Sequence, residues 1–205
     1  MTHHVLETPV TEAQVRALKV GDTVTLEKTL FGVRDANLIA MFDRGRRTVF
    51  DMQGHAVIHT APNVRKVPVT NECPTGYEAV CVGTTTSQRM ERFTRPLMER
   101  EGVRIIIGKG GMGLKTLAAC KESGAVYLHA IGGAAQFYAR AIKKVDDVSL
   151  LEFGTPEAMW HLQVEDFPAI VTMDDHGNSL HKDVEAASGT ALDGLASGRV
   201  VAEAD

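Results

Sequence analysis

Cysteine is scarce in this chain of 205 residues, and its spacing excludes the common cysteine-based sites. Cys73, Cys81 and Cys120 are odd in number and form no C-x-x-C pair, so the pattern indicates neither a disulfide framework nor a zinc or redox site. Ligation of an iron–sulfur cluster by these three residues stays open from spacing alone. Because Cys81 and Cys120 lie in apolar stretches typical of a buried strand and helix, structural burial is the simpler interpretation.

Long apolar runs, basic clusters and histidine pairs on a predicted helix are also missing. No stretch approaches the roughly 20 apolar residues that cross a bilayer. The opening residues 1–4 have neither the basic nor the apolar region of a secretory signal. The formal net charge is -4 without a basic stripe, which argues against nucleic acid or an anionic membrane as a partner. No H-x-x-x-H or similar pair lies on a convincing helix, so no metal ligands are predicted in this chain. We expect a cytoplasmic protein.

The length favours one domain over residues 1–205. Residues 1–60 alternate short apolar runs with turn residues, which predicts a β-rich N-terminal part with a helix beginning near Arg34. Strands are predicted at 48–50 and 56–59, with a break at 61–63, and a helix is predicted at 157–162. Alanine, glycine and aspartate dominate residues 188–205, for which we expect a loosely held tail.

From residue 79 onward, an apolar strand, a loop of small residues and an amphipathic helix follow one another three times. The strand segments are 79–82, 103–107 and 125–128. Such alternation predicts an α/β fold with parallel strands. Because ligands of open α/β sheets gather where strands lead into helices, the three loops are expected to line one edge of the sheet.

The second of these loops, residues 108–113, fits the pattern G-x-G-x-x-G that binds dinucleotides between a strand and a helix. A dinucleotide site also needs an acidic residue about 20 positions later. Leu128 and His129 stand there instead. Lys109 inside the loop suits a carboxylate better than a dinucleotide, and Gly108, Gly110 and Gly111 would support it by allowing close approach. A nucleotide-binding module remains an alternative.

The first loop carries three consecutive threonines and an arginine. Thr86 is a natural N-cap, and a solvated Arg89 one turn later needs no ligand. Yet the three hydroxyls exceed what a cap requires, and a hydroxyl beside an arginine could bind or deprotonate an anionic substrate. Arg34 lies at the start of another predicted helix, where a positive charge opposes the helix dipole. Both arginines are therefore candidate ligand contacts as well as candidate surface residues.

Five segments in this order resemble the β subunit of class I fumarases and L(+)-tartrate dehydratases. They are Arg-Asp-Ala at 34–36, Gly-Thr-Thr-Thr-x-x-Arg-Met at 83–90, Ile-Gly-Lys-Gly-Gly-Met at 107–112, Tyr-Leu with Gly-Gly-Ala-Ala within 127–135, and Phe-Pro-Ala at 167–169. The resemblance extends from about residue 8 to residue 180.

The resemblance implies a swivelling β/β/α domain that closes over a [4Fe–4S] cluster held by the cysteines of a separate α subunit. It also implies an α2β2-type heteromer that dehydrates a 2-hydroxy dicarboxylate of the malate, tartrate or citramalate type. By the same resemblance the substrate contacts are Arg34, Thr85, Thr86, Arg89 and Lys109, and Thr85 moves the C3 proton as the catalytic residue.

The chain departs from the family pattern around two of these contacts. Asn37 stands where the family commonly has alanine, and Ser87 and Gln88 replace Ala-Gly. The cations are kept while their surroundings change, so hydro-lyase chemistry is expected more firmly than any particular dicarboxylate. A non-catalytic partner that only stabilises an enzyme is a further alternative.

Overall fold

The fold is built around one eight-stranded sheet, which a computed structural model describes together with its helices for residues 1–196. The strands are β1 (His3–Glu7), β2 (Thr23–Val33), β3 (Ala56–Lys66), β4 (Tyr77–Thr84), β5 (Ile105–Gly108), β6 (Val126–His129), β7 (Ile142–Ser149) and β8 (Met159–Met173). The helices are α1 (Glu12–Arg16), α2 (Asp35–Phe42), α3 (Glu91–Glu99), α4 (Leu114–Ser123), α5 (Ala135–Ala141) and α6 (Leu180–Ala196).

Strands β1, β2, β3, β5 and β6 are parallel neighbours in that order. The long strand β8 runs antiparallel to β6 and β7, and it also pairs with β2 over Thr23–Gly32. Strands β2, β3, β5, β6 and β8 therefore form a closed ring of pairings, because β8 pairs with β2 again. A register shift between Leu26 and Lys28 interrupts the β2–β8 ladder, and Lys28 adopts a left-handed φ of 76°. Such a bulge bends a strand and lets it change partners.

Apolar side chains cover both faces of the parallel strands. Along β5, Ile105 and Ile107 enter one core cluster with Trp160, whereas Ile106 enters the other with Phe93. A strand buried on both faces has no polar positions, which explains why β5 is a continuous apolar run. The mixed α/β class predicted from the sequence is confirmed.

Three local predictions were wrong. Residues 48–50 form no strand. Strand β3 does not break at 61–63. Beyond His59 it pairs only with β4 and is open on its other side, and proline is tolerated in such an edge strand although it has no N–H to donate. Residues 157–162 contain good helix formers, but burial alternates from Trp160 to Glu165 and Met159 onward forms β8.

The first of the three predicted parallel strands also differs. Strand β4 pairs antiparallel with β3 and lies off the main strand order, while β5 and β6 are parallel as expected. The segment predicted as a loose tail continues α6 as far as Ala196, since its alanines favour helix without apolar periodicity. The remainder, 197–205, lies outside the described residues. No helix within 1–196 has both the length and the apolar character to cross a membrane.

Candidate functional site

One edge of the sheet brings together the ends of four strands. Val33 pairs in register with His59, and Gly108 pairs with His129. Ile58 of β3 and Ile107 of β5 are register partners, so the residues that follow them, His59 and Gly108, lie side by side. The chain leaves β2 and β5 immediately after this row, so Arg34 and Lys109 emerge at the same edge.

The threonine loop after β4 joins this edge through backbone contacts. The Thr85 N–H donates to the His59 carbonyl oxygen at 2.8 Å, and Thr86 forms a parallel bridge with Lys109. The Ser87 N–H donates to the Lys109 carbonyl oxygen at 3.1 Å. Although β4 is antiparallel, its loop therefore lies directly beside the glycine loop, as the βα rhythm predicted.

Arg89 is held by an acid rather than being a free surface residue. Its Nη2 donates to Asp35 Oδ2 at 2.9 Å and to Thr85 Oγ1 at 3.3 Å. The hydrogen bond from Arg89 holds the pKa of the Asp35 carboxyl below its usual value, and the same bond raises the pKa of Arg89. Arg89 is thus fixed next to the Thr85 hydroxyl by an ion pair with α2.

Arg34 is tied to the start of β8. Its Nε lies 3.0 Å from Glu157 Oε1, and the other Glu157 oxygen accepts the Ala36 N–H at 2.8 Å. The Arg34 N–H donates to Asn37 Oδ1 at 3.0 Å, and Asn37 Nδ2 donates to the Glu157 carbonyl oxygen at 3.2 Å. Asn37 is fully buried, so its hydrogen bonds fix the arginine turn against the residues that lead into β8.

Lys109 has a different environment from the two arginines. Within residues 1–196 no carboxylate lies within 4.0 Å of its ammonium group. Its stem passes over Gly132, where an added Cβ would be 3.1 Å from Lys109 Cδ. The next two residues, Gly110 and Gly111, have φ values of 78° and 71°, a left-handed turn that disfavours any other residue.

Sequence reasoning missed several residues that shape this site. Asp35 lies in a matched segment and Glu157 within the overall span of the resemblance, but neither was assigned a contact. His59 and Tyr127 are fully buried polar residues in apolar strands, and their hydrogen bonds reach Ser87 on the threonine loop. No spacing rule identifies such residues, because their partners are far apart in the chain.

The charges at the edge almost balance. Arg34, Arg89 and Lys109 contribute three positive charges, and Asp35 and Glu157 contribute two negative ones, which leaves one net positive charge. The arrangement can hold a carboxylate between the lysine and an arginine, with the Thr85 hydroxyl within reach. A dicarboxylate would need positive charge from elsewhere for its second group.

The cysteines of this chain do not form a cluster site. No group of three or more His, Cys, Asp or Glu side chains within 1–196 is arranged to hold a metal ion. Cys120 is buried in α4, and burial raises the pKa of its thiol to about 12. Cys73 and Cys81 are half-buried on a loop and on β4. Such thiols do not fit iron ligation, which requires neighbouring thiolates.

Known proteins similar to this chain carry the names of two related enzymes. A Geobacillus stearothermophilus protein provisionally named class I fumarate hydratase is 49% identical over 183 residues, which cover 89% of this chain and 34% of that protein. The L(+)-tartrate dehydratase subunit beta of Escherichia coli K12 is 36% identical over 177 residues, covering 86% and 85%.

A Methanocaldococcus jannaschii protein, provisionally named L(+)-tartrate dehydratase subunit beta, is 37% identical over 180 residues and covers 85% of this chain. The chain therefore spans about a third of the Geobacillus protein and most of the two subunits. The family model described as "Fumarase C-terminus" matches residues 2–184, which include every residue of the edge. This chain belongs to the fumarase C-terminus family.

Proposed function

We propose that this chain is the substrate-clamping β subunit of a heteromeric hydro-lyase that reversibly dehydrates a 2-hydroxy dicarboxylate. The observation that carries the proposal is the meeting of Arg34, Thr85, Arg89 and Lys109 at one sheet edge. Four polar residues from three separate chain segments have no structural need to meet there. Their types suit a carboxylate substrate with an exchangeable proton.

In the proposed site, Lys109 makes the first contact with a substrate carboxylate, because its ammonium group is not paired with a carboxylate that the substrate would have to displace. Arg89 and Arg34 keep their acidic partners and turn their remaining N–H groups to the substrate, since a guanidinium has five donors. Thr86 adds a hydroxyl next to Lys109. The result is a rigid clamp, fixed before substrate arrives.

Thr85 is the proposed proton-transfer residue. A threonine hydroxyl is a poor base on its own, so its ionised form needs a nearby positive charge. Arg89 Nη2, 3.3 Å from Thr85 Oγ1, supplies that charge. Asp35 limits the effect, because it already shares the same Nη2.

A [4Fe–4S] cluster would be held by a partner polypeptide and would act as a Lewis acid on the substrate hydroxyl and carboxylate. The cysteines of this chain do not fit ligation, and the edge alone lacks the charge for a dianion. The Geobacillus relative is about three times as long as the matched region, so a second polypeptide could supply what the rest of that protein contains. Closure by a swivelling movement in an α2β2-type heteromer is part of this proposal.

The test is co-expression with a cluster-bearing α subunit, followed by assays of fumarate, tartrate and mesaconate or citramalate. Oxygen-sensitive hydro-lyase activity is expected for the complex. Arg89→Ala should lower kcat/KM by about 10²-fold or more, corresponding to roughly 3 kcal/mol of lost charged hydrogen bonding. Arg92→Ala is the matched control, because Arg92 pairs with Asp43 and contacts no site residue.

Two outcomes would overturn the proposal. Full hydro-lyase activity of the isolated, iron-free chain would remove the need for a partner. An Arg89→Ala complex as active as Arg92→Ala would indicate a merely stabilising subunit. Calorimetry with NAD and ATP covers the nucleotide alternative, which tight binding unaffected by Lys109→Ala would favour.

A further inference from the structure

A chain of buried hydrogen bonds lies behind the two loops of the site. The Tyr127 hydroxyl donates to Ser87 Oγ at 3.0 Å, and Ser87 Oγ lies 2.9 Å from His59 Nδ1. All three residues are inaccessible to solvent. Burial raises the pKa of Tyr127, and the Ser87 hydroxyl together with the nearby Gly111 N–H partly offsets that rise.

This chain connects the elements that carry the substrate contacts. Ser87 follows Thr85 and Thr86 on the threonine loop, while Gly108, whose backbone packs against the Ser87 and Tyr127 hydroxyls, leads into Lys109. The link is tightly packed as well as hydrogen-bonded, because a Cβ at Gly108 would lie only 1.8 Å from Ser87 Oγ. The Ser87 hydroxyl occupies the space that a side chain at position 108 would need.

The hydrogens of the chain can be assigned. Burial lowers the pKa of His59 to about 4, so its ring is neutral and carries one proton. Tyr127 donates to Ser87, which leaves the Ser87 hydroxyl hydrogen for His59 Nδ1 and places the ring proton on Nε2. His59 Nε2 is buried without a partner in either tautomer, but the opposite tautomer would also leave the buried Ser87 hydrogen without an acceptor, which costs further free energy.

We propose that His59, Ser87 and Tyr127 are positioning residues that fix the threonine loop and the glycine loop against each other, and so set the spacing between Thr85 and Lys109. The inference rests on the proposed function of those two contacts. It also gives a role to Ser87, one of the departures from the family pattern: a hydroxyl here adds a side-chain link to the backbone bridge between the loops.

The kinetic test uses Ser87→Ala, Tyr127→Phe and the double variant in the co-expressed complex. Each single variant should lower kcat/KM about tenfold or more, since small misplacements of substrate contacts slow catalysis strongly. The double variant should be no worse than the poorer single one, because both remove the same link. Thr8→Val is the control: it removes a buried, hydrogen-bonded hydroxyl from a segment without site residues.

A second measurement tests the link without turnover. In the 15N-labelled full chain, Ser87→Ala should shift the Gly111 amide resonance, and Tyr127→Phe should shift the His59 Nδ1 resonance. The first effect is indirect because it passes through Tyr127, and the second because it passes through Ser87. Thr8→Val should shift neither resonance, although it also removes buried hydrogen bonds.

Each result decides the proposal. Single variants within about twofold of the Thr8→Val complex, or penalties that multiply in the double variant, would overturn it. Unmoved Gly111 and His59 resonances would do the same. If the unmodified complex converts no dicarboxylate, the proposed function fails, and the resonances alone decide whether the chain of hydrogen bonds holds the loops together.

Discussion

Three cations at the sheet edge differ in what holds them. Arg89 is paired with Asp35 and Arg34 with Glu157, whereas Lys109 lies over Gly132 without a carboxylate near its charge. A paired arginine is already oriented and pays little entropy on binding, but part of its charge is neutralised. An unpaired lysine offers its full charge. At the scale of single residues, Lys109 should therefore dominate the attraction for substrate.

We predict that Lys109→Met lowers kcat/KM of the complex by about 30- to 1000-fold, or roughly 2–4 kcal/mol, mainly by raising KM. Methionine keeps an apolar stem over Gly132 but removes the charge. Steady-state kinetics with saturating dicarboxylate measure the split between kcat and KM.

Lys115→Met provides the control for that substitution, since Lys115 is an exposed lysine of α4 in the same part of the chain. Its kinetics should match the unmodified complex. An unchanged KM in Lys109→Met would remove Lys109 from the substrate site.

At the scale of elements, the glycine loop depends on close contact rather than on flexibility. Gly108→Ala would place a methyl group against Ser87 Oγ and 3.0 Å from the Tyr127 hydroxyl. We predict a loss of about 1–3 kcal/mol in the free energy of unfolding, because overpacking forces neighbours apart. Urea unfolding followed by circular dichroism measures the loss.

The second variant in this series adds Ser87→Ala to Gly108→Ala. Removing the obstructing hydroxyl should recover part of the lost stability. Gly189→Ala in α6 meets no atom within 4 Å and should be neutral or slightly stabilising. A double variant as unstable as Gly108→Ala would show that another contact causes the strain.

A second element, the turn that precedes α2, depends on Asn37. Its amide accepts the Arg34 N–H and donates to the carbonyl oxygens of Glu157 and Ala158. Asn37→Ala would leave these buried groups unpaired, so we predict a loss of about 2–4 kcal/mol in stability, together with a lower kcat/KM. Asn63→Ala, on the exposed side of β3, should change neither quantity in the same unfolding and rate measurements.

At the scale of the whole molecule, buried histidines make stability depend on pH. The pKa of His59 is about 4 in the folded chain and near 6.5 when unfolded. Between these values the unfolded state binds a proton that the folded state does not, so stability falls as pH drops from 6.5 towards 4. The difference corresponds to at most about 3 kcal/mol, and above pH 6.5 His59 has no such effect.

We predict that His59→Gln loses less stability than the unmodified chain between pH 7 and pH 4.5 in urea unfolding. Burial also lowers the pKa of His55, His129 and His181, but these residues are common to both proteins and cancel in the difference. His176→Gln, on an exposed turn, is the control. Parallel pH profiles for His59→Gln and the unmodified chain would contradict the prediction.

Local patterns were sufficient for the parallel strands β5 and β6 and for much of the edge. Strand β5 could be predicted because burial on both faces makes every residue apolar, and the turn glycines could be predicted because left-handed backbone favours glycine. The start of β8 could not, since 157–162 has helix-forming residues and Met159 onward becomes a strand only by pairing with β2 and β7. Pairing across more than 100 residues overrides local propensity.

The sequence by itself determined which side chains are available at this edge: two arginines, a lysine, consecutive threonines and the glycines that let them approach a ligand. The order of these segments was enough to indicate the family. Only the tertiary structure decided that Asp35 and Glu157 hold the arginines, that Lys109 stays unpaired, and that His59, Ser87 and Tyr127 meet behind the loops. These contacts join residues distant in the chain, and short-range propensity carries no information about partners that only folding brings together.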